Sequence, residues 1–182
     1  MNRAFFLDRD GTINVEIGYL HEPERTLLLP GVADAVAAIH RAGFLAVAVS
    51  NQAGVAKGFY PECVIAAVHA RIQSLLLAAG GRDALIDAWY YCPHHPDFTG
   101  PCDCRKPAPG MFLRAAADFA LDLGKSYMIG DRMSDLEAGR TAGCAACCLV
   151  RTGYGVNVVE EARAAGFAEA ADLETAVRML LG

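Results

Sequence analysis

The chain has 182 residues, of which 54% are hydrophobic and 20% charged, with a formal charge of −5. That balance excludes a disordered chain and describes one globular domain with a sizeable core. It also argues against broad adhesion to nucleic acid or an anionic membrane, so positive charge is needed only where an anion lands.

The segment 1–8 breaks into charge after four apolar residues, too short for a secretory leader. No later run approaches the roughly 18 apolar residues of a membrane span, and a cytoplasmic protein is expected. Apolar runs of strand length occupy 4–7, 44–49, 88–91, 127–129 and 145–150. Their hydrophobicity is continuous rather than alternating, which fits strands covered on both faces. Between them Val32, Val36 and Ile39 share a helical face, as do Val64, Val68, Ile72 and Leu75. Phe112, Ala116 and Phe119 form a third face, and Leu173, Val177 and Leu180 a fourth. Pro61 and Pro109 stand where a first helical turn tolerates proline. The predicted fold is α/β: one Rossmann-like domain spanning 1–182, a parallel sheet with helices on both faces. Ligands then bind beyond the C-terminal strand ends.

Four such ends carry chemistry. The first run leads into Asp8-Arg9-Asp10-Gly11-Thr12, where two carboxylates at i and i+2 project to one side of an extended chain. Two acids alone would repel a phosphate, so a divalent cation is implied. One carboxylate can then attack phosphorus while the other handles the leaving-group proton. Ser50-Asn51-Gln52-Ala53-Gly54 offers neutral donors to phosphate oxygens, although such clusters also make ordinary turns. Arg105 and Lys106 precede a helix start and suit charge developing on a transferring phosphoryl, or simply a solvated basic pair. Asp131 directly follows the fourth run, a place for a hard cation's oxygen ligand, with Asp135 in support.

A metal loop is predicted at 92–104. Cys92-x-His94 and Cys102-x-Cys104 supply three sulfurs and one nitrogen, the donor set of a closed structural zinc site. His95 is the alternative to His94. The intervening Pro, Gly and Asp residues offer no core of their own, so a metal would order the loop. Because the chain's seven cysteines are an odd number in a reducing compartment, metal is favoured over disulfides. Cys63, Cys144, Cys147 and Cys148 are expected to be small buried residues.

The ordered set D-x-D-G-T, S-N, R-K and G-D-x-x-x-D resembles the haloacid dehalogenase (HAD) superfamily of phosphohydrolases. The resemblance implies Asp8 as nucleophile, Asp10 as general acid/base, and Ser50 and Lys106 as stabilisers of the phosphoryl group. It also implies Mg²⁺ held by Asp8, Asp131 and the backbone carbonyl of Asp10. Ser50 lies 40 positions after Asp10, and Lys106 lies 56 after Ser50. Neither interval leaves room for a separate folded cap, so an open site selected by loops is expected.

The segments F-L-D-R-D-G-T-I-N-V, G-Y-L-H-E, S-N-Q-A-G-V-A-K-G, Y-Y-C-P-H-H-P, C-D-C-R-K-P-x-P-G-M and L-V-R-T-G together resemble one family within it, the D-glycero-D-manno-heptose-1,7-bisphosphate 7-phosphatases. That resemblance implies substrate contacts from Arg9, Glu16, Ile17, Gly18, Tyr19, Asn51, Gln52, Ala53, Arg105 and Arg132. It implies a place in making heptose precursors of bacterial surface polysaccharide. Ser50, Ala53 and Arg132 stand where the family often has Thr, Ser and Lys. Histidinol-phosphate phosphatase shares the aspartates and the zinc loop and is the second reading, and a non-catalytic zinc-bearing binding module is a third. The expected protein is a monomer acting on a small phosphorylated sugar, without nucleic-acid or membrane partners.

Overall fold

In the computed structural model, which describes residues 1–182, six strands form one sheet. They are β1 (Ala4–Leu7), β2 (Leu45–Asn51), β3 (Ala88–Cys92), β4 (Tyr127–Gly130), β5 (Ala146–Val150) and β6 (Ala168–Ala170). Their order is β3-β2-β1-β4-β5-β6, and every pairing is parallel. The helices are α1 (Val32–Arg41), α2 (Cys63–Gly80), α3 (Pro96–Thr99), α4 (Gly110–Phe119), α5 (Met133–Ala142), α6 (Val159–Ala164) and α7 (Leu173–Leu181).

The continuous apolar runs follow from this layering. Successive residues of a strand point to opposite faces. Phe5 and Leu7 of β1 pack with α1, α2 and α7, whereas Ala4 and Phe6 pack with α4, α5 and α6. Both faces are therefore core. Phe5 and Phe6 are fully buried, each stabilising the fold by about 1.5–3 kcal/mol. Phe5 rests against Tyr127 at 4.9 Å between ring centres, and Phe6 against Phe112 at 4.7 Å.

Several elements differ from expectation. β2 extends to Asn51, so Ser50 is the strand's penultimate residue, and β3 ends on Cys92, the first predicted zinc ligand. The α2 stripe is Ile65, Val68, Ile72 and Leu76, rotated by one position at each end. α2 also reaches the length and composition of a membrane span, 18 residues at mean hydropathy 1.5, where the sequence pattern predicts no such run. Here its stripe packs on the sheet. Pro61 and Pro109 fall just outside the helices, with α2 capped by Glu62 and α4 by Pro109 itself. Cys63 is exposed and Cys144 half-buried rather than buried, while Cys147 and Cys148 are buried as expected.

Strand β1 sits between β2 and β4, and the helices that follow β1 and β2 cover one face of the sheet while those that follow β3, β4 and β5 cover the other. Such a switch opens a crevice at the C-terminal strand ends. The loops after β1, β2 and β4 and the segment before α4 all meet there.

Candidate active site

β1 delivers Asp8 to the crevice floor, where its backbone N–H donates to the Ile129 carbonyl of β4 at 3.0 Å. The chain then turns tightly, with Gly11 donating to the Asn14 carbonyl at 2.7 Å and Ile13 to that of Arg9 at 2.8 Å. Gly11 has φ +85°, and a Cβ there would overlap the Asp131 carboxylate, so the position requires glycine twice over.

Lys106 comes in from the opposite side. Its Nζ donates to Asp8 Oδ1 and to the Val49 carbonyl, each at 2.7 Å, and lies 2.8 Å from Asp135 Oδ1. Asn51 fixes the Lys106 backbone by a reciprocal pair: Lys106 N–H donates to Asn51 Oδ1, and Asn51 Nδ2 donates to the Lys106 carbonyl, both at 3.0 Å. Asp135 does two things, accepting from the Arg132 N–H at 3.0 Å at the start of α5 and holding Lys106.

Asp10 is tethered on three sides. Its carboxylate accepts from Arg9 at 3.1 and 2.7 Å, from Asn14 at 2.9 Å and from Gln52 at 3.0 Å. Burial works to raise its pKa, but the Arg9 charge and these donors prevail and hold it below the ordinary value. Gln52 also donates to Ser50 Oγ at 2.8 Å and accepts from the Tyr60 hydroxyl at 3.0 Å. One amide thereby joins the ends of β1 and β2.

Behind Asp8 the charge is unbalanced. Asp8, Asp131 and Asp135 are buried with carboxylate oxygens within 4.8 Å of one another, faced by the single ammonium of Lys106. Burial, then Asp135 and despite Lys106, pushes Asp8 up to about 7. Burial, then Asp8 and Asp135, pushes Asp131 up to about 8. Asp131 Oδ2 accepts from the Tyr154 N–H at 2.7 Å, while Oδ1 is buried without a partner. An orphaned carboxylate oxygen in an excess of buried negative charge fits a hard divalent cation. With metal–oxygen distances near 2.1 Å, opposed ligands sit about 4 Å apart, within the span seen here.

A second cluster lies beside the cleft. Cys92 Sγ is 2.8 Å from Cys104 Sγ and 3.6 Å from Cys102 Sγ, and the Cys102–Cys104 pair is also at 3.6 Å. His94 Nδ1 lies 3.4 Å from Cys104 Sγ and 3.8 Å from Cys92 Sγ. Tetrahedral Zn–S bonds of 2.3 Å put sulfurs about 3.8 Å apart, so only the Cys92–Cys104 pair must open, by about 1 Å. Burial pushes the Cys92 and Cys104 thiols up. For Cys102 burial acts the same way, but the Arg105 N–H and the neighbouring thiols prevail and hold it at about 7. His95 stands apart from this cluster. Its Nδ1 accepts from the Asp97 N–H at 3.3 Å and caps α3, a single turn inside the loop.

The cleft above Asp8 has a volume of about 420 Å³, the size of a small-molecule site. Glu16, Gly18, Tyr19, Asn51, Gln52 and Ala53 line it, as do Arg105 and Arg132. Arg132 pairs with Glu16 at 3.2 Å and stacks on the Tyr154 ring at 4.0 Å. Arg105 donates to the His94 carbonyl at 3.2 Å, tying its side chain to the cysteine cluster. Two predicted contacts fall elsewhere. Ile17 faces a neighbouring shallow groove with Leu29 and Asn157. Arg9 is 1% exposed, and its guanidinium is turned onto Asp10 instead of the cleft, because the tight turn brings that carboxylate within reach. The lining also includes Lys57, Tyr60, His95, Ser134 and Tyr154, which motif spacing does not single out.

Fold and site define a HAD-like hydrolase, and a family model described as HAD-hydrolase-like matches residues 103–176. The D-glycero-beta-D-manno-heptose-1,7-bisphosphate 7-phosphatase of Escherichia coli (strain K12) is 43% identical over 155 residues, 82% of this chain and 80% of that protein. The D-glycero-D-manno-heptose-1,7-bisphosphate 7-phosphatase of Thermosynechococcus vestitus is 44% identical over 165 residues, 86% of this chain and 83% of that one. Among solved structures, the D,D-heptose 1,7-bisphosphate phosphatase from B. bronchiseptica, complexed with magnesium and phosphate, superposes with a TM-score of 0.87. It is 34% identical, and the match covers 98% of each chain. The chain belongs to the heptose-1,7-bisphosphate 7-phosphatase family of HAD-like hydrolases.

Proposed function

We propose that this protein hydrolyses the 7-phosphate of D-glycero-D-manno-heptose 1,7-bisphosphate through a phosphoryl group carried on Asp8. The observation that supports this most directly is Asp8 itself: a buried carboxylate held 2.7 Å from an ammonium, on the floor of a cleft whose second acid is Asp10. In the first half-reaction an Asp8 carboxylate oxygen bonds to phosphorus, the bond from phosphorus to O7 breaks, and Asp10 gives its proton to the departing alkoxide. In the second, Asp10 takes a proton from water, the water oxygen bonds to phosphorus, and Asp8 leaves as carboxylate with release of inorganic phosphate. The Arg9, Asn14 and Gln52 tethers keep Asp10 in one place through both proton transfers. A phosphate dianion entering the cleft favours the protonated form needed in the first step. Ser50 and Lys106 stabilise the transferring oxygens.

Asp8, Asp131 and the Asp10 carbonyl are the proposed magnesium ligands, with Asp135 positioning Lys106. When bound, the cation offsets the buried negative charge and polarises the phosphoryl oxygens. Cys92, His94, Cys102 and Cys104 are the proposed ligands of a structural zinc that fixes Arg105 beside the cleft. One chain carries the whole site, so a monomer suffices, and seven unpaired cysteines fit a reducing cytoplasm. We place the reaction in the making of activated heptose for bacterial surface polysaccharide. The test is phosphate release from a panel of both heptose 1,7-bisphosphate anomers, histidinol phosphate and simple sugar phosphates, with Asp8→Asn as the blank. A histidinol phosphate preference would overturn the heptose reading and leave the phosphatase reading standing.

A further inference from the structure

Four cations line the cleft, and their partners differ. Lys106 is neutralised by Asp8 and Asp135, and Arg132 by Glu16. Arg105 donates to a backbone carbonyl. Lys57 has no carboxylate at all: its Nζ donates to the Tyr19 hydroxyl at 2.6 Å and lies 5.1 Å from the Tyr19 ring centre and 6.0 Å from that of Phe98. One of its three ammonium hydrogens is therefore placed on a neutral oxygen, and two remain for an incoming anion.

The position of Lys57 is built rather than incidental. The turn after β2 closes with the Lys57 N–H donating to the Ala53 carbonyl at 3.0 Å and Gly58 donating to that of Val55 at 3.0 Å. Tyr60 packs so closely on Gly54 that a Cβ there would overlap its ring, and Tyr60 is anchored in turn on Gln52. The turn is thus fixed to the residue that bridges Ser50 and Asp10. Tyr19 is held from its other side by the Phe59 ring at 4.7 Å. A cation on a packed turn, facing the catalytic cleft with an uncompensated charge, is a site for an anionic group that does not react.

We infer that Lys57 is a specificity-determining residue that binds the distal, non-reacting phosphate of the bisphosphate substrate, with Tyr19 holding its ammonium ready in the free enzyme. This rests on the bisphosphate reading above. It adds to that reading a cation on the β2 turn, away from the zinc-tied Arg105.

The experiment compares kcat/KM of the wild type, Lys57→Met and Lys57→Arg on heptose 1,7-bisphosphate and on heptose 7-phosphate, which has the same scissile bond but no distal anion. Loss of one charge-assisted contact corresponds to about 10–100-fold. Lys57→Met is expected to lose that factor on the bisphosphate, chiefly through KM, and to change less than about threefold on heptose 7-phosphate. Lys57→Arg is expected to recover most of it, and KM of Lys57→Met for the bisphosphate should depend less on salt. Equal loss on both substrates, or loss on neither, overturns the assignment of Lys57 while the wild type still prefers the bisphosphate. If the wild type shows no such preference, the bisphosphate reading falls and the assignment falls with it.

Discussion

Removing the divalent cation should make the protein's stability depend on pH in a way set by Asp8 and Asp131. Their carboxyl pKa values rise from 3.8 to about 7 and about 8, so the unfolded chain releases these protons before the fold does. The resulting stability is fully present below about pH 4, falls as pH rises above it, and is lost once pH has passed through 7 to 8. One proton corresponds to about 1.4 kcal/mol per pH unit. Because the two carboxylates repel through the same space, we count one proton rather than two. Between pH 5 and 7.5 the metal-free fold should therefore lose about 3 kcal/mol, or about 6–12 °C in Tm for a domain of this size. A bound cation keeps both groups ionised and removes the slope. The assay is thermal unfolding in EDTA and in saturating Mg²⁺ at half-unit pH steps, with the gap between the curves opening towards alkaline pH. Asp131→Asn should close the gap and, lacking one of three crowded charges, be more stable than the metal-free wild type at pH 8. The Asn oxygen can still accept from the Tyr154 N–H. A gap that is absent, constant with pH or widest at pH 5 would refute the assignment of these carboxylates to a cation site.

Asp8→Asn should abolish phosphate release, since an amide does not attack phosphorus, while Asp10→Asn should bind substrate and turn over about 10²–10⁴-fold more slowly. Elemental analysis of protein purified without chelator should find one zinc per chain, and the double variant Cys102→Ser, Cys104→Ser should lose it. That variant should remain folded, because Cys102 and Cys104 only border the core and Cys92, which is part of it, is kept, but discriminate poorly among sugar phosphates. Arg105→Ala should cost about 10–100-fold in kcat/KM on the bisphosphate and much less on heptose 7-phosphate. Equal losses would place Arg105 at the reacting phosphate.

The layered fold was legible because five strands are apolar on both faces, a pattern that only a covered parallel sheet explains. β6 was not, being three residues (Ala-Glu-Ala) at a sheet edge with one face half solvated, too short to carry a period. The face of α2 was misplaced by one position because Val64, Ile65, Leu75 and Leu76 are all apolar, and only packing decides between neighbours. In the site, Asp8 and Asp131 were legible because each directly follows a strand, and Lys106 because it shortly precedes a helix, where the fold fixes direction. Arg9 was not, since alternation along an extended chain says nothing of a tight turn that folds its side chain back onto Asp10. The bridge from Gln52 to Asp10 spans 42 positions and has no local signature. Lys57 was hidden inside a segment that reads as an ordinary turn.

The floor and the rim of the cleft have opposite electrical defects, and each explains the other. Three buried carboxylates face one ammonium on the floor, so a phosphate dianion cannot approach Asp8 without a counter-charge. At the rim Lys57 and Arg105 have no carboxylate partner, so a cation has nothing to gain there and an anion has. On the proposed reading, a divalent ion held by Asp8 and Asp131 would offset the repulsion that the substrate's phosphate meets there. The two bindings would then be mutually favourable, and by linkage each would raise the other's affinity by the same factor. That coupling would rest on the unpaired oxygen of Asp131, buried behind Asp8, and on Lys57 and Arg105, which line the cleft. A carboxylate beside Lys57 would satisfy the ammonium but abolish the gradient that would orient a two-ended anion along the cleft.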